Sequence, residues 1–560
     1  MKYLNKTFYI ILFATIGPIL FFKVYPPKAI KFKSMDFNLP LDQLTDPGRI
    51  DLVESIDFKT KSHVIDPSKQ VQAVTCPNFD PSIRRYSWTP YSKGDVLILS
   101  CSLFEDVVKV TINDQYHNLK KPLKIPYRKA SEYFIKFYSS DSTHSTYVVV
   151  ATPIDFAPLT GRVLDPSKVE DGYILSDFNP ANLNSIFKQI WMSLYSFGLS
   201  SFSDMFAINK SKFFEKIVIE STGRLDKRRK YNPYFFVLDK YGVPIYLKSN
   251  NLVTSNFQKT EFGYTVGVSR MESQPGLSYG KNLVLDSRFK VSEERQLSGS
   301  KSNFKSSPHF FYDEQSNNYV LKTHIHSLDK NSGKNIYSFY FQEQNKKGEI
   351  IFEWNSFDFF ESSLSSIPNS RYPIWDYFKG TSVSLSADKN FVVSSAGLKS
   401  VIKIDRSNGE SIWMLGDAEH GNNDFTYIND TNSGPSVVYH SAQLSNGNIL
   451  LFDNGDLISD VSLTTDKTAN LNLYSRVVEY EIDNVNMTAE KVLEISYGSN
   501  QASIGGSAVR LPNGNTIVAW GSMGYITEHD SDGELVLEID LGGIVYKAVK
   551  VIPSHLMKNL

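Results

Sequence analysis

The sequence predicts an all-β protein: a six-bladed β-propeller with an N-terminal β-sandwich-like domain and an N-terminal membrane anchor or signal segment. Three observations support this prediction. The 560 residues include 37 Phe and 31 Tyr but 9 Met, a balance that favours strands over helical bundles. Short apolar runs alternate with Gly- and Asn-containing turns from about residue 61 onward. A two-part phrase also recurs at a nearly constant interval toward the C-terminus.

Residues 1–24 predict a signal anchor or a signal peptide. The uncharged run TFYIILFATIGPILFF fills residues 7–22, and its sixteen residues are short for a membrane-spanning helix. The absence of a small-residue cleavage site nearby favours a transmembrane signal anchor. More lysines follow the run than precede it, so the positive-inside rule alone would place the body of the protein in the cytosol. Residues 25–60 contain Pro and Lys without periodicity and are interpreted as a stem.

Residues 61–155 predict the β-sandwich-like domain, with strand-like runs such as DVLILSCSLF and VVKVTIND. This part holds Cys76 and Cys101, which we expect to form a disulfide, with buried thiols as the alternative. Three asparagines stand in Asn-x-Ser/Thr sequons and are candidate glycosylation sites: Asn209, Asn429 and Asn486. Together these features favour a membrane-anchored glycoprotein on the lumenal side of the secretory pathway (ER or Golgi) or at the cell surface.

Residues 156–552 predict the propeller. Phrases such as LSADKNFVVSS, LSNGNILLFD and LPNGNTIVAW begin at residues 385, 444 and 511. A second phrase, a glycine turn followed by a strand, places Gly409 61 residues after Gly348 and Gly533 124 residues after Gly409. A period of about 62 residues divides this part of the chain into roughly six four-stranded blades.

Composition and motifs exclude some classes of function. The net charge is −1 and no long basic run occurs, so the electrostatic footprint of a nucleic-acid-binding protein is missing. No P-loop is present to hold a nucleotide sulfate donor, and no cofactor is implied. His324 and His326 share one face of a predicted strand, a spacing that suits a metal ion. Since no third ligand stands nearby, exposed strand residues are the preferred interpretation, and no metal site is predicted.

The segment VVYHSAQLSNGNILLFDNGD, residues 437–456, predicts two strands around an Asn446-Gly447 turn, because Asn-Gly supplies the positive φ angles that short hairpins need. His440 stands near the open end of this hairpin. It is either a structural hydrogen-bonding residue or a residue that takes part in chemistry.

Longer stretches of the sequence resemble the PAPS-independent arylsulfotransferase family, in its eukaryotic, fungal-type branch. They include WDYFKGTSVSLSADKNFVVSS, VYHSAQLSNGNILLFDNGD and GGSAVRLPNGNTIVAWGSMGYITEHDSDGELVLEI, and they cover roughly residues 230–550. The resemblance implies a six-bladed propeller preceded by a β-rich domain, in agreement with the repeat count. It also implies transfer of sulfate from an aryl sulfate to a phenol through a sulfohistidine, with ping-pong kinetics.

The resemblance implies specific roles for residues of this chain. His440 matches the nucleophilic histidine, and His309 in SSPHFF matches a second family histidine. Lys379 stands where the family has another histidine, and Ala396 stands where it has an arginine, so two of four polar groups are replaced. We expect His309, Lys379 and His440 to converge at one end of the propeller axis. Three further candidates for substrate binding are His420, Asp376 and Asn454.

These replacements leave the activity open. One hypothesis is a lumenal arylsulfotransferase whose activity is altered or eroded and whose ligand is an aryl sulfate. A second is a pseudoenzyme whose propeller axis binds another small anionic ligand, a glycan or a protein partner. A third is a lumenal scaffold with a vestigial pocket. In each case the N-terminal segment would contact the membrane.

Overall fold

The computed structural model describes residues 33–36, 52–61, 79–180, 231–269, 280–304, 306–307, 310–314, 316–329, 333–361, 375–418, 422–432, 434–455, 474–498, 501–502 and 504–551. Several predicted features lie outside these residues: the segment 1–24, Cys76, Asn209, His309 and His420.

The described residues form strands almost throughout. The first nine are β1 (Lys33–Asp36), β2 (Val53–Lys61), β3 (Arg85–Trp88), β4 (Val96–Leu103), β5 (Val107–Ile112), β6 (Gln115–His117), β7 (Leu123–Pro126), β8 (Ser131–Ser139) and β9 (His144–Ala151). The next eight are β10 (Thr160–Val163), β11 (Tyr173–Phe178), β12 (Tyr234–Leu238), β13 (Pro244–Ser249), β14 (Val253–Thr260), β15 (Gly263–Ser269), β16 (Gly280–Leu285) and β17 (Val291–Arg295).

The remaining strands complete the chain. A 3₁₀ turn (Gly299–Lys301) precedes β18 (Phe311–Asp313), β19 (Asn318–Asp329), β20 (Lys334–Gln344), β21 (Ile350–Asn355), the short helix α1 (Ser356–Phe359), β22 (Trp375–Asp376), β23 (Gly380–Leu385), β24 (Phe391–Ser395), β25 (Ser400–Ile404) and β26 (Ser411–Gly416). The last ten are β27 (Thr426–Ile428), β28 (Val438–Gln443), β29 (Ile449–Asp453), β30 (Arg476–Asp483), β31 (Thr488–Ser496), β32 (Ser507–Arg510), β33 (Thr516–Ala519), β34 (Tyr525–His529), β35 (Leu535–Asp540) and β36 (Ala548–Val551).

These strands form eight sheets among the described residues, and we number six of them in the order in which they pack. Sheet 1 has the strand order β1-β13-β12-β11-β36, sheet 2 is β14-β15-β16-β17, and sheet 3 is β18-β19-β20-β21 with β22 on β20. Sheet 4 is β23-β24-β25-β26, sheet 5 is β27-β31-β30-β29-β28, and sheet 6 is β10-β35-β34-β33-β32. The other two sheets, β2-β4-β7 and β3-β9-β8-β5-β6, belong to the N-terminal part.

Each numbered sheet packs its apolar side chains on the next. Sheets 1 and 2 share one core cluster, and separate clusters join sheets 2 and 3, sheets 3 and 4, sheets 4 and 5, and sheets 5 and 6. A further cluster joins sheet 6 back to sheet 1, where Ile517 and Ile526 pack with Ile174 and Phe236. Among the described residues, the core clusters therefore link the six numbered sheets in a sequence that returns from sheet 6 to sheet 1.

Strands from both ends of the numbered region complete sheets 1 and 6. The early strand β10 pairs with β35 at the edge of sheet 6, whereas the C-terminal strand β36 pairs with β11 in sheet 1. The buried Lys550 ammonium in β36 lies 2.5 Å from the buried Glu528 carboxylate in β34. Distant parts of the chain are therefore tied together where sheet 6 meets sheet 1.

The N-terminal sheets share a core of their own, in which Trp88, Leu97 and Phe137 are buried. The strand β1 falls within residues 25–60, where the sequence predicts a stem, and β2 begins there and ends at Lys61. β2 pairs with β4, and β1 pairs with β13 of sheet 1. Local periodicity does not report sheet pairing with residues far along the chain.

The prediction of an all-β protein is confirmed. Within the described residues, α1 is the only α-helix, and it has four residues. No helix in this part of the chain is long and apolar enough to cross a membrane.

Candidate functional site

Edge strands of five numbered sheets contact one another in succession, and we call the region where they meet the centre. β14 contacts β36, β36 contacts β32, β32 contacts β28, and β28 contacts β23. Each of these strands is an edge strand of its sheet. Strands that are distant in sequence are therefore neighbours at the centre.

His440 lies on β28, next to an irregularity in the pairing of β28 with β29. The predicted Asn446-Gly447 turn is confirmed: Gly447 has φ = 95°, and its N–H donates to the carbonyl of Leu444. The imidazole is half-buried, and its Nδ1 atom is buried without a hydrogen-bond partner among the described residues. A structural histidine would use this buried nitrogen in a hydrogen bond, so Nδ1 is left over for another role.

Burial, together with the positive charges of Lys547 and Lys322, lowers the pKa of His440 to about 3. The imidazole is consequently neutral at physiological pH. A neutral ring nitrogen keeps its lone pair and is a competent nucleophile.

Lys322 is the first of these cations. It lies on β19 in sheet 3 and is buried, and its Nζ donates a hydrogen bond to the carbonyl of Thr381 on β23 in sheet 4. Its ammonium also lies 5.7 Å from the centre of the Phe339 ring. Burial, followed by repulsion from Lys547, lowers the pKa of Lys322 to about 7.

Lys547 is the second cation and directly precedes β36. Burial lowers its pKa to about 8, and the Asp177 carboxylate opposes this shift. Asp177 accepts the N–H of Tyr546 at 2.9 Å, while its Oδ2 atom has no hydrogen-bond partner among the described residues. Burial raises the pKa of Asp177 to about 8. The Lys547 amine and the Asp177 carboxylate thus lie in one polar cluster that is removed from water.

The two lysines give the centre its electrostatic character. Their charges act on His440 and on each other, whereas no carboxylate is among the groups that shift the pKa of Lys322 or His440. Lys322 is a buried cation with no carboxylate among the groups that shift its pKa, and such a cation favours a bound anion, because the anion restores the interactions lost with water. The site therefore suits a sulfonate or a similar small anion.

Asp376 and Lys379, both predicted site residues, lie at the start of sheet 4. The backbone N–H of Lys379 donates to the Asp376 carboxylate at 3.0 Å, and the Lys379 carbonyl accepts the N–H of Ala396. Lys379 is half-buried with φ = 47°. Asp376 thus stabilises the turn that contains Lys379. The predicted convergence of the Lys379 side chain with His440 stays a prediction.

The pair His324 and His326 differs from the expectation of two exposed histidines. His326 is exposed, but His324 is buried, and its Nε2 lies 3.8 Å from Oδ2 of Asp376. The first eight residues of β19 are buried and the next three are not, so two residues on one face of the strand differ in depth. Within the described residues, no group of three possible ligands surrounds a metal position.

Asn454, a predicted substrate-binding residue, is buried between sheets 5 and 6. Its side-chain amide donates to the carbonyls of Ala502, at 2.7 Å, and Gly505, at 3.2 Å. These bonds fix the segment that leads into β32, a structural role. Its Oδ1 atom has no hydrogen-bond partner among the described residues.

Other predicted residues are located only in part. His309 and His420 lie outside the described residues. The N–H of Ser307 donates to the Lys322 carbonyl at 2.7 Å, so residues 306–307 run beside Lys322. Cys101 is a free thiol whose pKa burial raises to about 12, and the disulfide with Cys76, which lies outside the described residues, is unsupported and stays a prediction.

Sequence reasoning missed Lys322 and Lys547. The available signal was a lysine inside an otherwise apolar strand, in NYVLKTHIH and GIVYKAVKV. Such lysines are mostly exposed, with the stem packed and the ammonium in water, so the signal alone is weak.

Comparisons with known proteins identify the family of the chain. The profile of the Arylsulfotransferase (ASST) family matches residues 203–550. None of the curated proteins matches the chain. Among solved structures, a protein of unknown function from Bacteroides caccae is 12% identical with a TM-score of 0.32, and the match covers 57% of this chain and 94% of that one.

Two further structures are similar at the same level. A protein from Lactobacillus plantarum is 11% identical with a TM-score of 0.32, and the match covers 56% of this chain and 80% of that one. The β-propeller domain of Myceliophteria thermophila Cps50 (Swd1) is 9% identical with a TM-score of 0.28, and the match covers 51% of this chain and 88% of that one. The family profile spans more than half of the chain, and the chain therefore belongs to the arylsulfotransferase (ASST) family.

Proposed function

We propose that this protein transfers a sulfonate group from an aryl sulfate to a phenol through a sulfohistidine at His440. The observation that carries the proposal is an imidazole that its lowered pKa keeps neutral, on whose charge the buried Lys322 and the half-buried Lys547 both act. A neutral nucleophile attacks sulfur, while cations stabilise the charge on the sulfonate oxygens. Membership of the ASST family supports the same chemistry, and the fungal-type branch is part of the proposal.

The cations of the site support activity despite the two replacements in the family pattern. Lysine at position 379 and alanine at position 396 remove a histidine and an arginine. Lys322 and Lys547 supply positive charge next to His440 from sheets 3 and 1. We propose that these lysines carry the sulfonate-binding role of the replaced groups.

We also propose that sheets 1 to 6 are the six blades of a closed β-propeller. The core clusters that join each sheet to the next, including sheet 6 to sheet 1, support this architecture. Strands contributed by both ends of the region support closure. In a closed propeller, the beginnings of the central strands open into one shared funnel.

Placement of the protein on the lumenal side of the secretory pathway, or at the cell surface, remains part of the proposal. The sequon asparagines Asn429 and Asn486 are both exposed, as glycosylation requires. The N-terminal apolar run would hold the protein to the membrane.

A turnover assay tests the proposed reaction. The purified protein would be incubated with a nitrophenyl sulfate and a phenol acceptor, and sulfated acceptor would be measured. We expect turnover by the wild type and none by His440→Ala, because the covalent intermediate cannot form. His326→Ala is the matched control, since this exposed histidine lies on the outer part of β19. Equal turnover by His440→Ala and the control would refute the proposal.

A second candidate function is that of a non-catalytic propeller that binds a small anion. The observation that favours it is the replacement of the histidine and the arginine by Lys379 and Ala396. It predicts that the wild type never turns over, yet sulfate raises its Tm, and that Lys547→Met removes this stabilisation.

A further inference from the structure

Lys322 joins three sheets at the centre. It extends from β19 of sheet 3 to the Thr381 carbonyl in sheet 4. The Thr381 hydroxyl in turn donates to the carbonyl of Val438 at 2.9 Å, on the strand that carries His440 in sheet 5. One carbonyl accepts a hydrogen bond from the amine, which leaves the other donor positions of the ammonium for a ligand, and the charge of Lys322 acts on His440.

We infer that Lys322 donates a proton to the leaving phenoxide oxygen and takes a proton from the incoming phenol. This inference rests on the proposed function and assigns the acid–base step within it. The family pattern places a histidine where this chain has Lys379, so a proton carrier is otherwise missing from that position. Lys322 is a buried amine whose position is fixed by Thr381 and by the Phe339 ring.

The charged groups around Lys322 support this role. Lys547 repels it, and the neutral His440 and His324 lie within range of its charge. The carboxylates of the cluster act elsewhere: Asp177 acts on Lys547, and Asp376 lies 3.8 Å from His324. With its pKa lowered to about 7, Lys322 has both the ammonium and the amine available near neutral pH. An acid–base group works best when its pKa lies close to the working pH.

The proposed reaction balances over two steps. In the first, a ring nitrogen of His440 attacks sulfur, the N–S bond forms, and the bond from sulfur to the aryl oxygen breaks. The electron pair goes to that oxygen, which receives a proton from the Lys322 ammonium. In the second, the incoming phenol gives its proton to the Lys322 amine and its oxygen attacks sulfur. The N–S bond breaks, and its electron pair returns to His440.

The assignment predicts a dependence on the leaving group. An unsubstituted phenol resembles the tyrosine side chain, with a pKa of about 10, and needs a proton as it leaves. A nitrophenolate is a much better leaving group and needs little help. General acid catalysis should therefore accelerate transfer from phenyl sulfate far more than transfer from nitrophenyl sulfate.

The experiment compares both donors with wild type, Lys322→Arg and the matched control Lys403→Arg. Lys403 is also a buried strand lysine, but its ammonium lies 2.6 Å from the Asp388 carboxylate and donates to Gln443 at 2.9 Å, and it is not among the charges that shift the pKa of His440. Arginine keeps the positive charge but does not release its proton. We expect Lys322→Arg to lose about 100-fold or more in kcat with phenyl sulfate and less than about tenfold with nitrophenyl sulfate. The control should match wild type with both donors.

The outcomes separate this inference from the proposed function. Equal losses of Lys322→Arg with both donors, or no loss with either, would overturn the role of Lys322 while His440-dependent transfer stands. Absence of transfer by the wild type with either donor would overturn both proposals. If Lys322→Arg fails to fold, the wild-type pH profile decides. With phenyl sulfate, kcat must fall as pH rises through about 7, and with nitrophenyl sulfate this fall must be weaker. A kcat with phenyl sulfate that does not change near pH 7 overturns the inference.

Discussion

At the scale of single residues, burial determines the chemistry of the centre more than residue type does. His440, Lys322 and Lys547 all have their pKa values lowered, and in each case burial is the largest cause. Removal from water disfavours a charged amine or imidazole, so the histidine is neutral and the lysines titrate close to neutrality. The residue types were visible in the sequence, but their burial follows from packing.

The lowered pKa of Lys322 predicts a pH-dependent stability difference. Between a folded pKa of about 7 and an unfolded value of about 10.4, the unfolded chain binds a proton that the folded chain does not. Lys322 should therefore make the free energy of unfolding of the wild type increase with pH across this window. The variant Lys322→Met lacks this contribution. Below pH 7 the buried charge of Lys322 lowers the free energy of unfolding by a constant amount, on the order of 4 kcal/mol.

Urea unfolding of both proteins at pH 6.5 and pH 9.5 measures this difference. We expect Lys322→Met to be the more stable protein at pH 6.5 by a few kcal/mol. At pH 9.5 most of this difference in the free energy of unfolding between the variant and the wild type should be gone. A variant that is less stable than wild type at both pH values, with no change between them, would show that the lysine is not desolvated.

At the scale of structural elements, a buried ion network supports the strand that carries His440. Arg476 on β30 lies 3.3 Å from Asp453, 3.2 Å from Asp430 and 3.1 Å from Glu494. Asp453 accepts the N–H groups of Ser436 and Val437, which lead directly into β28. The network thus holds the start of the His440 strand against β29 and β30.

Arg476→Met should lower the free energy of unfolding by about 3–5 kcal/mol, because it leaves buried carboxylates without their partner. Arg162→Met is the matched control: its guanidinium, more than half exposed, pairs with Glu538 at 3.0 Å. That variant should change stability by less than about 1 kcal/mol. Chemical unfolding of both variants tests this, and equal losses would contradict the assigned role of the network.

The sequence predicts elements better than it predicts their partners. The Asn446-Gly447 hairpin and the all-β class follow from local alternation and turn residues, and both are confirmed. Strand β1 within the expected stem could not be predicted, because four residues pair with β13 more than 200 positions away. The depth of His324 and the meeting of Lys322 with Lys547 likewise depend on which sheets become neighbours.

At the scale of the whole molecule, stability depends on joining the ends of the numbered region. β36 is an edge strand of sheet 1, paired with β11, and contacts β14, β32 and β33. Removing it exposes the edge of β11 and the cores on both sides of sheet 1.

A chain that ends at Lys547 should therefore lose cooperative unfolding or fail to fold, whereas a chain that ends at Val551 keeps every described strand and should unfold like the full-length protein. Thermal unfolding followed by near-ultraviolet circular dichroism compares the two. If the shorter chain kept the Tm of the longer one, β36 would not be needed for closure.

In the proposed closed propeller, the edge strands that meet at the centre bring residues from several sheets together. The proposed chemistry depends on this arrangement. The most direct test is to trap the covalent intermediate: the wild type would be mixed with an excess of nitrophenyl sulfate without acceptor, quenched, and mapped by peptide mass spectrometry. We predict one added sulfonate group on His440, released when a phenol is supplied, and none in His440→Ala. A wild type that turns over while His440 is never modified would contradict the account.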